Sequence, residues 1–214
     1  MPVYNGNVKQ KDLYVGGVKI KEAYYGDIKV YSAGYPAGTV LFDSSTAGTY
    51  TVTLKYTQNY KLWLVGGGSP NVKKTWCAGG ACEDTWAGGG SGAMIYGTAK
   101  LNKGTYTIVI GGSNANSTFY NQIAGHGVQG TTWATGANPG TPGTATITLS
   151  GLQSKTTNDA SKAVKNTFWG WQTDDHIGLG ASSPYNNSRS GPGAGGGAWG
   201  SAAGHAGMFR LESA

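Results

Sequence analysis

The sequence predicts an all-β protein in which glycine supplies much of the packing. Glycine makes up 38 of 214 residues, against a usual share of about 7%. Charged residues are 12%, about half the average for soluble domains. Aromatic residues reach 11%, with seven Trp and thirteen Tyr, which sets the chain apart from disordered sequences poor in aromatics and rich in charge. No strict G-x-y register runs through it, so collagen is excluded. Gly and Thr are poor helix formers, and Leu and Glu are scarce, so a helical bundle is excluded as well.

The elements follow in order. Residues 1–31 repeat with a period of about ten: VKQKDLYVGG, VKIKEAYYGD and IKVYSAG align Val8, Val18 and Ile28, then Lys9, Lys19 and Lys29, then Tyr14 and Tyr24. Short strands punctuated by Gly predict successive β-turns or a small meander. Such strands are marginal alone, so the segment is expected to dock on another protein through its edges. AGYPAG (33–38) reads as a linker by its turn chemistry. GTVLFDSS places Val40 and Phe42 at alternate positions. GTYTVTLKY alternates Tyr50, Val52, Leu54 and Tyr56 against Thr and Lys, as a half-buried strand does. YKLWLVGGG is a more continuous apolar run, followed by a glycine-rich insertion at 69–92. AMIYGTAKL and GTYTIVIGG are two further strands with LNKG as the turn between them. After a Gly/Asn/Thr/Pro-rich stretch at 113–143, GTATITLSGL alternates Ala145, Ile147 and Leu149. Residues 151–206 are polar and glycine-rich, and HAGMFRLES closes the chain with Met208 and Leu211 as core candidates.

Three segments between strands are too long for ordinary loops, and their aromatic content predicts that they are ordered. Glycine-rich chains pack side by side as polyproline-II-like helices because no Cβ separates their backbones. N–H and C=O groups then pair between neighbours. GGG at 66–68, 88–90 and 195–197 are the pieces assigned to such a layer.

Net charge is +6, yet Lys is spread thinly and only Arg189 and Arg210 represent arginine. Nucleic-acid readers concentrate basic charge on one face, so no nucleic-acid partner is expected; a mild attraction to anionic polymers fits. No apolar run approaches the roughly 18 residues of a bilayer span, so no membrane insertion is expected. MPVYNGNVKQK lacks an apolar signal core, which suits a particle assembled in a host cytoplasm and released by lysis. Cys77 and Cys82 read either as two free thiols or as a local bridge, with the intervening glycines easing the turn.

Candidate chemistry is sparse. TDDH at 173–176 is the one dense polar cluster, and a solvated turn explains Asp174, Asp175 and His176 as readily as a metal or acid–base site. No nucleophile elbow, HExxH, P-loop or dinucleotide fingerprint is present, so neither catalysis nor a cofactor is expected. Trp76, Trp86, Trp133, Trp169, Trp171, Tyr185 and Trp199 lie outside the evident strands. Exposed aromatics give rigid contact area at low entropy cost. Stacked on sugar rings, with Asn and Asp to bond hydroxyls, they make a glycan site. FWGWQTDDH and SSPYNNSR hold both ingredients. The ligand-binding candidates are therefore Trp169, Trp171, Asp174, Asp175, His176, Tyr185 and Asn187, with Trp76 and Trp86. Most of the aromatics are expected to be props between glycine strands.

AGTVLFDSSTAGTYTVTLKYTQNYKLWLVGGG, AGGGSGAMIYGTAKLNKGTYTIVIGG and GAGGGAWGSAAGHAGMFRLES together resemble the glycine-rich domain of bacteriophage and prophage tail proteins, over 36–112 and more loosely 190–214. The resemblance implies a jelly-roll-like β-sandwich with glycine-rich, polyglycine-II-like insertions and a small N-terminal β-repeat. It divides the chain into an attachment segment at 1–34 and a glycine-rich β-sandwich domain at 35–214. By this analogy the protein is a virion tail component that binds a host surface glycan or protein receptor and joins other tail proteins through residues 1–34, with a homotrimer as the family's prior. The glycine runs here are shorter than in adhesin tips of that kind and are interrupted by Trp, Asn and charged residues. Two other readings stand beside it: a virion decoration or capsid-fibre protein without a specific ligand, and a polysaccharide-degrading enzyme using Asp174, Asp175 and His176.

Overall fold

The structure is a computed structural model. It describes residues 34–133, 136–138, 140–156, 193 and 204–214, together with the backbone of short strands before residue 33 and between residues 164 and 177.

The ten-residue repeat becomes three antiparallel strand pairs. β1 (Tyr4–Asn5) pairs with β2 (Val8–Lys9), β3 (Tyr14–Val15) with β4 (Val18–Lys19), and β5 (Glu22–Tyr25) with β6 (Ile28–Ser32). Asn5 faces Val8, Val15 faces Val18 and Tyr25 faces Ile28. Two residues separate the partners each time, Gly-Asn, Gly-Gly and Gly-Asp, the composition of tight hairpin turns. Each pair is a sheet of its own, so of the two expected arrangements the segment takes successive β-turns and not the meander, as strands this short pair locally.

The body contains β7 (Val40–Ser44), β8 (Gly48–Leu54), β9 (Gln58–Val65), β10 (Val72–Ala78), β11 (Ala81–Ala87), β12 (Met94–Leu101), β13 (Gly104–Ile110), β14 (Ser117–Phe119), β15 (Gln122–Ala124), β16 (Thr131–Trp133), β17 (Gly136–Asn138), β18 (Ala145–Thr146), β19 (Leu152–Lys155), β20 (Val164–Lys165), β21 (His176–Ile177) and β22 (Met208–Ser213). Two five-stranded antiparallel sheets form, one ordered β19-β12-β9-β22-β7 and the other β18-β15-β14-β13-β8. Their inner faces share one core. Val52, Leu54, Ile108, Ile110 and Phe119 of the second sheet pack with Leu62, Leu64, Ile95, Phe209 and Leu211 of the first. The Phe119 and Phe209 rings meet across the interface at 4.6 Å between centroids. The period-two alternation predicts half-buried strands, and here their apolar faces meet as a β-sandwich.

Three tyrosines use one device. Tyr50, Tyr60 and Tyr106 are each the third residue of their strand, and each donates its hydroxyl to the carbonyl four residues earlier, on Thr46, Tyr56 and Asn102, at 2.9, 2.7 and 2.8 Å. The ring packs inward while the hydroxyl ties down the preceding turn, as a tyrosine corner does. The AGYPAG segment, expected to be a linker, is held in place from Tyr35 onward. The Tyr35 N–H donates to Gln58 Oε1 at 2.9 Å, its ring packs edge-on to Tyr56 and Tyr60, and the Pro36 carbonyl accepts from Ser213 Oγ.

Within GTATITLSGL the alternating part is a strand only over Ala145–Thr146, and Leu152 opens β19. Ala145, Ile147 and Leu149 still pack on the core as the alternation requires. Beyond Thr146 the buried Gln122 side chain replaces the strand ladder. Its Oε1 accepts from the Thr148 and Leu149 N–H groups at 2.8 and 3.4 Å, and its Nε2 donates to the Tyr120 carbonyl at 2.8 Å.

At one end of the sandwich, glycine segments pack backbone on backbone. Gly66, Gly67 and Gly68 donate to the carbonyls of Ala93, Ala115 and His205 at 2.9, 2.9 and 2.8 Å, and the Gly67 carbonyl accepts from Gly127 at 2.9 Å. The stretch 66–69 thus lies among four others, 88–93, 111–115, 125–128 and 204–207. Gly90 donates to Val128, Gly92 to Gly193 and Gly143 to Ser91. A Cβ on Gly67 would overlap the Gly112 carbonyl oxygen; on Gly90 it would overlap that of Thr141, and on Gly92 that of Gly66. Only hydrogen fits there. The runs at 66–68 and 88–90 are both part of this packing, while 195–197 lies outside the described residues.

Candidate functional site

The insertion at 69–92 is a hairpin that leaves the glycine packing and returns to it. β10 and β11 pair over seven positions from Val72 opposite Ala87 to Ala78 opposite Ala81. Gly79 and Gly80 turn the chain with φ of 60° and 84°, the type I′ geometry that suits the strand twist and that glycine adopts without strain. Cys77 and Cys82 face each other next to this turn and are joined by a disulfide, with their Cα atoms 4.1 Å apart. Of the two readings of these cysteines, the structure has the local bridge. At the base, the Ser69 N–H donates to the Gly90 carbonyl at 3.0 Å and the Gly90 N–H donates to Ser69 Oγ at 3.1 Å. These two bonds clamp the legs together. Ala87 is buried against Gly130, and the Gly140 N–H donates to the Gly88 carbonyl at 2.8 Å. The β16–β17 hairpin follows there, with Trp133 43% exposed and Val128 51% exposed.

Trp76 and Trp86, expected in loops, lie on these paired strands. Trp76 faces Glu83 and Trp86 faces Lys73 across the ladder. Alternation puts the two indoles on opposite faces of the ribbon, so they do not form one platform. Each ring carries a cation. Lys74 Nζ sits 4.3 Å from the Trp76 ring centre, and Lys73 Nζ sits 5.1 Å from that of Trp86, within the range of cation–π attraction. Lys73 also pairs with Asp84 at 2.7 Å, and Thr75 donates to the same carboxylate at 2.7 Å. The Lys73 bond first, and that of Thr75 second, hold the Asp84 carboxyl below its usual range. The Trp76 indole nitrogen is buried and has no hydrogen-bond partner among the described residues.

Lys73, Lys74 and Asp84 were not among the sequence candidates. Their signal is KKTW facing EDTW across a Gly-Gly turn, legible only once the strands are put in register. Trp169, Trp171, Asp174, Asp175, Tyr185, Asn187 and Trp199 lie outside the described residues. For His176 only the backbone is described, opposite Lys165 in β20–β21. Among the described residues no group of three or more His, Cys, Asp or Glu side chains is placed to hold a metal ion. What the hairpin can do chemically is present ammonium groups and the exposed Glu83 and Asp84 carboxylates to solvent beside two half-buried indoles, with the nitrogen of Trp76 turned inward.

No protein-family model, curated protein or solved structure matches this chain.

Proposed function

We propose that the chain is a phage or prophage tail component that binds a host surface receptor, glycan in class, by non-covalent contacts from the loops of a glycine-rich domain, with residues 1–34 attaching it to other tail proteins. The observation that carries this reading is the clamp of buried glycine backbone at 66–69 and 88–93. It holds a disulfide-closed, tryptophan-bearing hairpin that packs against the β16–β17 hairpin. The finer description of the fold belongs to the same reading. Chain crossings between sheets at β7 to β8, β8 to β9, β12 to β13 and β18 to β19 support a jelly roll. Hydrogen bonds from 66–69 to four neighbouring segments support polyglycine-II-like packing. Several copies on one particle would multiply weak contacts into avidity.

The purified chain is expected to bind bacterial cells or envelope polysaccharides on an array. Replacing Trp76 and Trp86 together by Ala is expected to weaken that binding roughly tenfold and to leave the thermal transition in place. Undiminished binding in the double variant removes the hairpin from the site. Failure of the intact chain to bind any envelope preparation favours a second reading, a virion structural subunit without a specific ligand. The cation–π contacts of Lys73 and Lys74 speak for that alternative, because they occupy an indole face that a sugar would need.

A further inference from the structure

The outer faces of the two sheets differ in a way the hairpin reading does not use. Every strand of the first sheet contains a charged residue: Asp43, Lys61, Lys100, Lys155, and Arg210 with Glu212. Four of them are paired, Arg210 with Asp43 and Lys61 with Glu212. The second sheet has no charged residue in any of its five strands. Its outward positions are Thr49, Thr51, Thr53, Thr105, Thr107, Val109, Thr118, Ile123 and Thr146, and every one is β-branched. Register sets them in rows. Thr49, Val109, Thr118, Ile123 and Thr146 run side by side across all five strands. Thr51 stands opposite Thr107 and Thr53 opposite Thr105, the last pair sharing a hydroxyl hydrogen bond of 3.0 Å. Ile123 is 37% exposed, and six of the seven threonines are exposed as well.

We propose that this face is an interface with a second copy of the chain, packed face to face about a two-fold axis. The chain carries a net charge of +6, so two copies repel each other on average. A charge-free face is where they approach without that penalty. A threonine hydroxyl both donates and accepts, and its methyl is apolar, so a threonine face is complementary to itself, as an isologous contact requires. Five strands at about 4.8 Å spacing make a strip roughly 20–24 Å across. With β8 and β13 seven residues long and the other three strands only two or three, the face measures roughly 350 Å², under half of the roughly 800 Å² per partner of a standard interface, so the dimer forms weakly and with a clear dependence on concentration. β8 is the open edge of the same sheet, and no charged or proline residue within it guards against pairing.

The test is sedimentation equilibrium on the full chain over a wide concentration range, with Thr51→Lys, Thr51→Glu and, as a control on the outer face of the other sheet, Thr98→Lys. The wild type and T98K are expected to dimerise reversibly. T51K and T51E alone are each expected to associate at least roughly tenfold more weakly, and an equimolar mixture of the two to recover dimer. Circular dichroism and the thermal transition of the variants check that they are folded, and recovery in the mixture cannot come from misfolded chains. A wild type that stays monomeric throughout, an oligomer indifferent to both changes at Thr51, or a mixture that remains monomeric overturns the proposal.

Discussion

Leu62 and Gly67 lie five residues apart on one run of chain, and both are buried. Leu62 faces a sandwich core of Phe, Leu, Ile and Val side chains. Gly67 faces only backbone: its N–H reaches the Ala115 carbonyl, its own carbonyl accepts from Gly127, and the Gly112 oxygen occupies the place a Cβ would take. The first kind of burial draws on the hydrophobic effect and accepts changes of similar volume. The second draws on dense backbone hydrogen bonding and van der Waals contact and accepts nothing larger than a hydrogen atom. A smaller side chain leaves a cavity in one region, whereas any side chain at all forces whole segments apart in the other.

The smallest change is therefore expected to have the largest effect. Gly67→Ala is expected to cost roughly 4 kcal/mol or more, because the added methyl meets main-chain oxygen that has no rotamer to escape into. Leu62→Ala, though it removes three heavy atoms, is expected to cost about 3 kcal/mol. Urea titration of both variants decides the order, and a Gly67→Ala chain as stable as wild type would remove the backbone-packing account.

Gln122→Leu tests a place where a side chain does the work of a strand. It strands the N–H groups of Thr148 and Leu149. The expected loss is about 2 kcal/mol, with faster amide exchange at those two residues.

Tyr60→Phe gives the smallest effect at neutral pH, about 1 kcal/mol for the bond to the Tyr56 carbonyl. It carries a pH signature as well. Burial first, then the neighbouring Tyr35 and Tyr106, push the Tyr60 hydroxyl up to about 12 from an ordinary 10.0. The folded chain keeps this proton where the unfolded chain has released it, so stability falls as pH rises from 10.0 through about 12. Denaturant midpoints at neutral pH and again near pH 11, about midway through that window, should fall less in Tyr60→Phe than in wild type.

The hairpin stayed hidden in the sequence for a physical reason. Between Val72 and Ala87 neither face is consistently apolar, so the period-two signal that marks β8 and β13 is missing. The ribbon is held by its turn, its disulfide and the clamp at its base, and not by a hydrophobic face. The same logic explains Gln122, whose role depends on a segment twenty-six residues away, a distance no local pattern reports.

By itself the sequence determined what is local and periodic. The Gly-x-Tyr-x-Val and Gly-x-Tyr-x-Ile patterns specified β8 and β13, their alternation chose the core face, and GGG at 66–68 and 88–90 marked where backbone packs on backbone. Tertiary structure alone decided which strands became neighbours, which carbonyl fills the space beside each glycine, and that Trp76 and Trp86 lie on opposite faces of one ribbon. Period and composition are properties of consecutive residues, whereas register and backbone contact arise only when distant segments meet, and glycine carries no side chain whose chemistry could announce its partner beforehand.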